Sequence, residues 1–596
     1  MPFSTLTLAP GVFSDEATGD AESRYVDSDL VRFHRGRAQI IGGWQNATAD
    51  LVPGVARQIV QWADILGNEL VAIGTHRRVQ LLEGGQLTDI TPLEATGTYS
   101  SNPITTASGS TTITIAHTSH SLDPDQEILL ASATAVGGLT TDQLNTYHTV
   151  VSTPDANTFT VAVAGSAASS TATGGGTPVY SYLIAPGFQE STGGTGWGAG
   201  GWNASGTTWG TARSVSATTF DLRNWSFALY GEDLLMVASD HQIVYKFDTS
   251  VGSGTRPAVV ANAPACEQIL VNADTRQLIT FGGTDRMAIA FSDKNDITDW
   301  TATETNSAGS VSLGEGSEIV AVSKARGPGN FLLVTDQSAY LMSFSGGELV
   351  YRFSRLGGTP APYGPSAIVE ADGNVLYFTD AGVMSYSGGG LTPLSCPILR
   401  TVFAELDGTN ARTVFAARNA EFNEWLFFYR STSSSADNDR VLVWHAGEGP
   451  NVWSRSTLGR TVWSDRTVGA NPVAVTAEGN VYLHETGTSA AGANIAASIT
   501  TADVDLPDSL LYSVTNFIPD FKISGSDNLS LTFNSRISPL GDQTTTGPHT
   551  ITPSTSVVNV RSTGRSVSFT VSSDSSNIFW RSGSQRIEIQ QSGAER

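Results

Sequence analysis

Seven short alternating apolar runs recur along this 596-residue chain: LVAIGT ending at 75, LLMVAS at 239, AIAFSD at 293, LLVTD at 336, LYFTD at 380, WLFFYR at 430 and VYLHET at 486. The last five gaps are 54, 43, 44, 50 and 56 residues. Self-similarity at about 40 to 50 residues is the pattern of propeller blades, each a four-stranded sheet. The copies share turn chemistry as well as spacing. A Gly/Asp/Asn turn precedes the run and a Ser/Thr-Asp turn leads into a second strand carrying Tyr, as in YGEDLLMVASDHQIVYKFD, DGNVLYFTDAGVMSY and GPGNFLLVTDQSAYLMSF. Six or seven blades fit this count.

The first gap, from 75 to 239, is 164 residues and breaks the period. Removing residues 97–183 and 184–210 restores it, so two inserts are expected in one blade connection. Residues 97–183 are rich in Thr, Ser, Ala and Gly and alternate repeatedly (TTITIAH, QEILLAS, YHTVVST, NTFTVAVAG), which predicts a small β-sandwich. Residues 184–210 form a Gly/Trp loop containing Trp197, Trp202 and Trp209. Glycine leaves such a segment without fixed backbone preference, and its aromatics bury area only against other parts of the chain or a partner.

Helical spacing is confined to PILRTVFAEL at 397–406. After residue 500 longer strands appear (NLSLTFNSRI, RSVSFTVSS, RIEIQQSG), separated by Ser/Gly/Pro turns. The expected fold class is therefore all-β. It comprises a β-propeller with an inserted β-sandwich domain and a β-rich platform formed by the N-terminal segment and a C-terminal domain. The expected boundaries are 1–45 for the arm, 46–96 for the first blade, 211–500 for the remaining blades and 501–596 for the C-terminal domain.

Charge and composition narrow the function classes. The chain carries 33 basic and 56 acidic residues, a net charge of −23, yet only 15% of its residues are charged. Ordinary domains carry about 25%. A net acidic surface repels nucleic acid at long range, which argues against a DNA-wrapping protein. The start, MPFSTLTLAP, has no basic region followed by an apolar run, and the longest apolar runs are strand-sized. A chain made in the cytoplasm and without a membrane span is expected. Cys266 and Cys396 are the only cysteines and read as buried thiols.

The motifs of catalysis are absent or incomplete. Gly196, Gly198 and Gly201 match G-x-G-x-x-G, but no strand precedes them and no helix follows to hold a phosphate. P-loop, H-E-x-x-H and G-x-S-x-G sequences do not occur. Asp293, Asn295, Asp296 and Asp299 lack the glycine and glutamate of a calcium loop and read as Asx turns at a blade corner. Asp503, Asp505 and Asp508 are read in the same way. His117 and His120 form the one close histidine pair and read as polar turn residues. Sialidase-type S-x-D-x-G-x-x-W boxes are missing, and Ser292 to Trp300 departs from them in spacing and glycine. No catalytic residue, metal or cofactor is expected.

The N-terminal segment is more specific. ESRYVDSDLVRFHRGRAQIIGGWQ places Arg24, Arg32, Arg35 and Arg37 among Asp27 and Asp29, then runs into Gly42, Gly43 and Trp44. With Val31, Phe33 and Gly36 this resembles the opening D-x-D-φ-V-R-F-x-x-G…GGW segment, φ being apolar, of the tail nozzle proteins of short-tailed bacteriophages, relatives of the packaged-DNA stabilisation proteins. The Gly/aromatic run before DLRNWSFALYGEDLLM and the blade turn IAFSDKNDITDW, with Phe291 at an aromatic position, are similar to that family. So is the close FWRSGSQRIEIQQSGAER, with Gly593 and Arg596. The resemblance covers most of the chain outside 97–183.

It implies a six-subunit ring below the portal and adaptor, in the virion tail, assembled in the host cytoplasm, with double-stranded DNA passing along the axis without specific binding. Head-to-tail adaptor, tail fibres and a tail needle or plug are the implied partners. An acidic lumen would repel the DNA backbone and keep it mobile. Trp197, Trp202 and Trp209 would then pack at a subunit interface or narrow the lumen. Arg24, Arg32, Arg35, Arg37, Trp44, Trp580 and Arg581 would form the platform's contact with the adaptor. The rival expectation is a host-surface carbohydrate-binding or depolymerising propeller of a tail fibre, which would need paired carboxylates in a cleft.

Overall fold

The computed structural model describes residues 3–15, 23–163, 168–191, 221–347, 349–435, 437–506, 510–538 and 541–593. Seven four-stranded antiparallel sheets form a closed propeller. Blade 1 is Ala56–Ala63, Glu69–Thr75, Val79–Glu83 and Gln86–Asp89. Blades 2 to 6 begin at Trp225, Gln268, Ile319, Ile368 and Phe415. The first strand of each blade lies against the first strand of the next, and the first strand of blade 7 (Val462–Ser464) lies against that of blade 1. Each of the seven runs falls in a different blade, so the count is seven. Five are second strands, whereas AIAFSD and VYLHET supply third strands. The unequal gaps reflect that change of phase.

Blade 7 is closed from the other end of the chain. Its outer strand is Trp44–Asn46, with His484 opposite Trp44 and Tyr482 opposite Asn46. Trp44 therefore belongs to the propeller and not to the arm in which the sequence placed it. Completing three strands from residues 462–484 with one from near the N-terminus makes the last blade a clasp, because unpaired edges in an open ring would be exposed.

The insert begins at Leu93–Thr98, which pairs with Val179–Leu183, and its sheets meet at the bent strand Tyr147–Asp155. Its strands alternate as a half-buried sheet should: in Thr112–Ala116 only Ile113 and Ile115 are buried. His120 accepts from the Leu122 amide and His117 meets the Tyr182 hydroxyl at 2.6 Å, so both histidines are held within the insert. The helix Leu399–Glu405 lies inside the segment expected to be helical. A further turn, Thr141–Leu144, was not anticipated, although Thr140 and Gln143 form the capping box that announces it.

Strands from both termini interleave in three platform sheets. Phe3–Leu6 pairs with Gln585–Gly593, and Tyr25–Asp29 pairs with Ile495–Thr501. Val31–His34, Arg37–Ile40, Ile578–Ser582 and Phe521–Gly525 form the third. Phe517, Phe533 and Phe569 centre the platform core with ring centroids 5.4 to 5.7 Å apart. No helix of the described residues is long and apolar enough to cross a membrane.

Candidate functional site

The N-terminal motif is the joint between platform and propeller. Tyr25–Asp29 and Val31–His34 lie against Trp453–Ser456, the outer strand of blade 6. Asp29 accepts from the Thr457 amide at 2.7 Å, Asp27 pairs with Arg455 at 3.3 Å, and the Leu30 amide donates to Ser456 Oγ at 3.0 Å. Arg32 then passes inward. Its Nε lies 3.0 Å from Glu424 Oε1 and its Nη1 donates to Glu485 Oε2 at 2.9 Å. Phe422 stacks on the guanidinium at 3.6 Å, and Asn419 Nδ2 donates to both carboxylates at 3.2 and 3.0 Å. Burial alone would push Glu424 up, but Arg32, His445 and Asn419 outweigh it and hold the carboxyl below its usual range.

The glycines of the motif have separate reasons. A Cβ on Gly42 would run into the Glu485 side chain, and one on Gly43 would lie 2.5 Å from the Ser489 carbonyl oxygen. Gly36 has open space around it but sits at φ +70° in the hairpin after His34.

Several expected contact residues are placed differently from their assignment. Arg32 is 4% exposed and fully engaged inside the chain, and Trp580 is 0% exposed with its Nε1 donating to Ser573 Oγ. Neither side chain is exposed for contact with a partner, because each is spent on the interior of its own chain. Trp44 stacks on His484 at 5.4 Å in the clasp strand. Arg24 lies over the Phe13 ring at 4.0 Å. Arg35, Arg37 and Arg581 gather on the third platform sheet, where Arg37 donates to Ser584 Oγ and Arg581 to the His34 carbonyl. Trp197, Trp202 and Trp209 lie outside the described residues.

A second constellation surrounds one mouth of the propeller channel, and the sequence reading missed it. Residues at or just before the starts of the first strands and in the loops between second and third strands meet there. Arg57 holds Asp437 with two bonds of 3.0 and 2.7 Å, linking blade 1 to blade 6 across blade 7. Arg223 holds Asp240 at 2.7 Å. Arg286 reaches Glu318 at 2.6 Å and Glu267 at 3.5 Å. Arg412, entering blade 6, reaches Asp221 at 2.8 Å before blade 2 and Glu318 at 3.0 Å before blade 4. It therefore spans the channel. The cavity beneath has a volume of about 470 Å³, with Phe227, Ile269 and Val320 among its apolar walls. Burial pushes the Glu267 carboxyl up despite Arg286. The available signal was an acid immediately ahead of a blade's first strand, as in CEQIL and SEIV.

Behind the mouth, His76 Nδ1 accepts from the Val55 amide at 3.0 Å. Burial first, then Arg77 and Arg57, push its pKa down to about 4. Unfolded histidine takes up its proton near pH 6.5, so the unfolded chain binds more protons between those values and stability falls as pH drops through that window. NMR titration is expected to show His76 neutral down to about pH 5.

Asp296 and Asp299 accept from the amides two residues on, at 2.8 and 3.2 Å, as Asx turns. Among the described residues no group of three or more His, Cys, Asp or Glu is arranged to hold a metal ion.

No protein-family model and no curated protein matches the chain. Among solved structures, a phage phi92 endosialidase is 12% identical with a TM-score of 0.22, over 63% of this chain and 64% of that one. Hsv2 of Kluyveromyces lactis is 10% identical with a TM-score of 0.26, over 42% and 69% of the two chains. An exo-β-1,3-galactanase from Phanerochaete chrysosporium is 11% identical with a TM-score of 0.25, over 62% and 97%. The chain thus spans 64% of the endosialidase's length. At these identities and scores no activity or residue role transfers, and the propeller rests on the strand order itself.

Proposed function

We propose that the chain is a structural subunit of a short phage tail, a nozzle ring that retains packaged DNA and guides its exit. The supporting observation is that the whole D-x-D-φ-V-R-F-x-x-G…GGW segment works as one joint, fixing a platform made of both termini to the propeller through Asp27, Asp29, Arg32, Gly42, Gly43 and Trp44. Residues that resemble a family in sequence thus share one mechanical task. The route for DNA would lie between copies: a channel bridged by the single side chain of Arg412 is far narrower than a duplex, whose major groove alone is about 12 Å wide. A ring of six copies, held above by an adaptor, would supply that route.

Antibody labelling of native particles by electron microscopy tests the reading. Label on a ring at the distal end of the tail is the expected result. Label on peripheral fibres, or on no particle, overturns it.

The channel mouth favours one second reading. Glu267 and Glu318 share Arg286 over a cavity of about 470 Å³, and burial pushes the first of them up, as an acid catalyst of glycoside cleavage requires. Release of reducing ends from host polysaccharide, lost in Glu267→Gln, would establish it.

A further inference from the structure

The third platform sheet has two unlike faces. Val31, Phe33, Ala38, Ile40, Ile578 and Trp580 form its buried side. On the other side, register places His34 opposite Arg37, and Arg581 opposite Lys522. Arg35 extends from the hairpin tip at φ 53°. Arg37 and Arg581 satisfy only a hydroxyl and a backbone carbonyl, and neither they, Arg35 nor Lys522 forms an ion pair among the described residues. Two carboxylates border them, and each is occupied by backbone amides: Glu448 by Arg35 and Gly36, and Asp520 by Ser584. The geometry also shows in His34, whose pKa is lowered first by burial and then by Arg35, against the opposing pull of Glu448. A surface with four uncommitted cations stands out on a chain of net charge −23.

We propose that this basic face is the surface by which one copy of the chain docks on the acidic surface of the next, head to tail. The inference rests on the ring reading and supplies its contact. Charge complementarity selects the occupant: apart from these four cations the chain carries 29 basic against 56 acidic residues, a net acidic partner, and guanidinium groups bind carboxylates with directional paired bonds. Two basic faces apposed directly on a two-fold axis would repel. On the ring reading the basic face instead meets a different patch of the next copy, a heterologous contact that closes when the rotation per copy permits.

The test is sedimentation velocity on the full chain over a concentration series, with the double variant R37E/K522E. Both side chains project from the sheet, so circular dichroism and the thermal melt are expected to match the parent. Assembly of the parent into species larger than a dimer, weakened by salt and about tenfold or more in the variant, is the expected result. A parent that stays monomeric throughout, a parent that stops at a two-fold dimer, or a variant that assembles like the parent each overturns the proposal. So does binding of a double-stranded DNA probe that the variant loses with assembly unchanged, which would give the face to phosphate. Failure here with label still at the tail tip would leave the tail reading standing. Label elsewhere with charge-dependent assembly intact would remove that reading and keep the contact.

Discussion

Replacing Arg32 with alanine is expected to cost about 3–5 kcal/mol of stability at neutral pH, the range for breaking a buried ion pair by removing one partner. Glu424 and Glu485 would remain buried with only Asn419 and His445 to face them. The loss has a pH signature. In the parent, the folded Glu424 carboxyl lies below its ordinary value, so its contribution is complete above that value and disappears as pH falls through the folded one. In the variant burial dominates and the folded carboxyl lies above its unfolded value, so acidification relieves the variant. The two denaturation curves should therefore converge between neutral pH and about pH 4. Neutral replacement of all three charges (R32M/E424Q/E485Q) should recover part of the loss. A constant gap across pH would show that Arg32 acts through its packing on Phe422 and not through charge.

Gly43→Val is expected to open the clasp. The added side chain would start 2.5 Å from the Ser489 carbonyl oxygen and 2.7 Å from its amide nitrogen, and backbone cannot rotate away as a side chain can. The bonds it displaces are those that seat the last strand: Gly43 N–H to the Gly487 carbonyl, Thr486 N–H to the Gly43 carbonyl, and Trp44 N–H to the Ser489 carbonyl. Overpacking typically costs about 1–3 kcal/mol, and displacement of the closing strand should carry the cost to the top of that range or beyond it. Hydrogen exchange would localise the effect, with Val481–His484 losing protection before any strand of blades 2 to 4. Gly36→Ala is the control, because open space surrounds that position and only its φ of +70° is penalised, at about 1 kcal/mol. Equal effects at the two glycines would show that clasp packing is not what Gly43 protects.

Both experiments address the segment where sequence and structure met most usefully. The alternating runs and their turns determined the all-β class, the propeller and the strand-rich insert, because period-two burial and Gly/Asn turns are local and survive in one dimension. The Asx turns at Asp296 and Asp299 were legible for the same reason. Local pattern could also suggest that GGW mattered. It could not say why, since the reason is Glu485 and Ser489, more than four hundred residues away.

Closure and electrostatics were decided in three dimensions. The blade count needed Trp44–Asn46 to be seen beside Val481–His484. Arg32 reads as a surface charge until Glu424 and Glu485 are placed on either side of it, and only strand register separates it from Arg37 and Arg581 on the open part of the same sheet face. The arginine that bridges the channel mouth, itself ahead of blade 6, joins residues that precede blades 2 and 4. A chain's sequence states which residues alternate and where it turns. Which charges end up sharing a low-dielectric space depends on how distant strands are brought together, and that information resides in the closed ring.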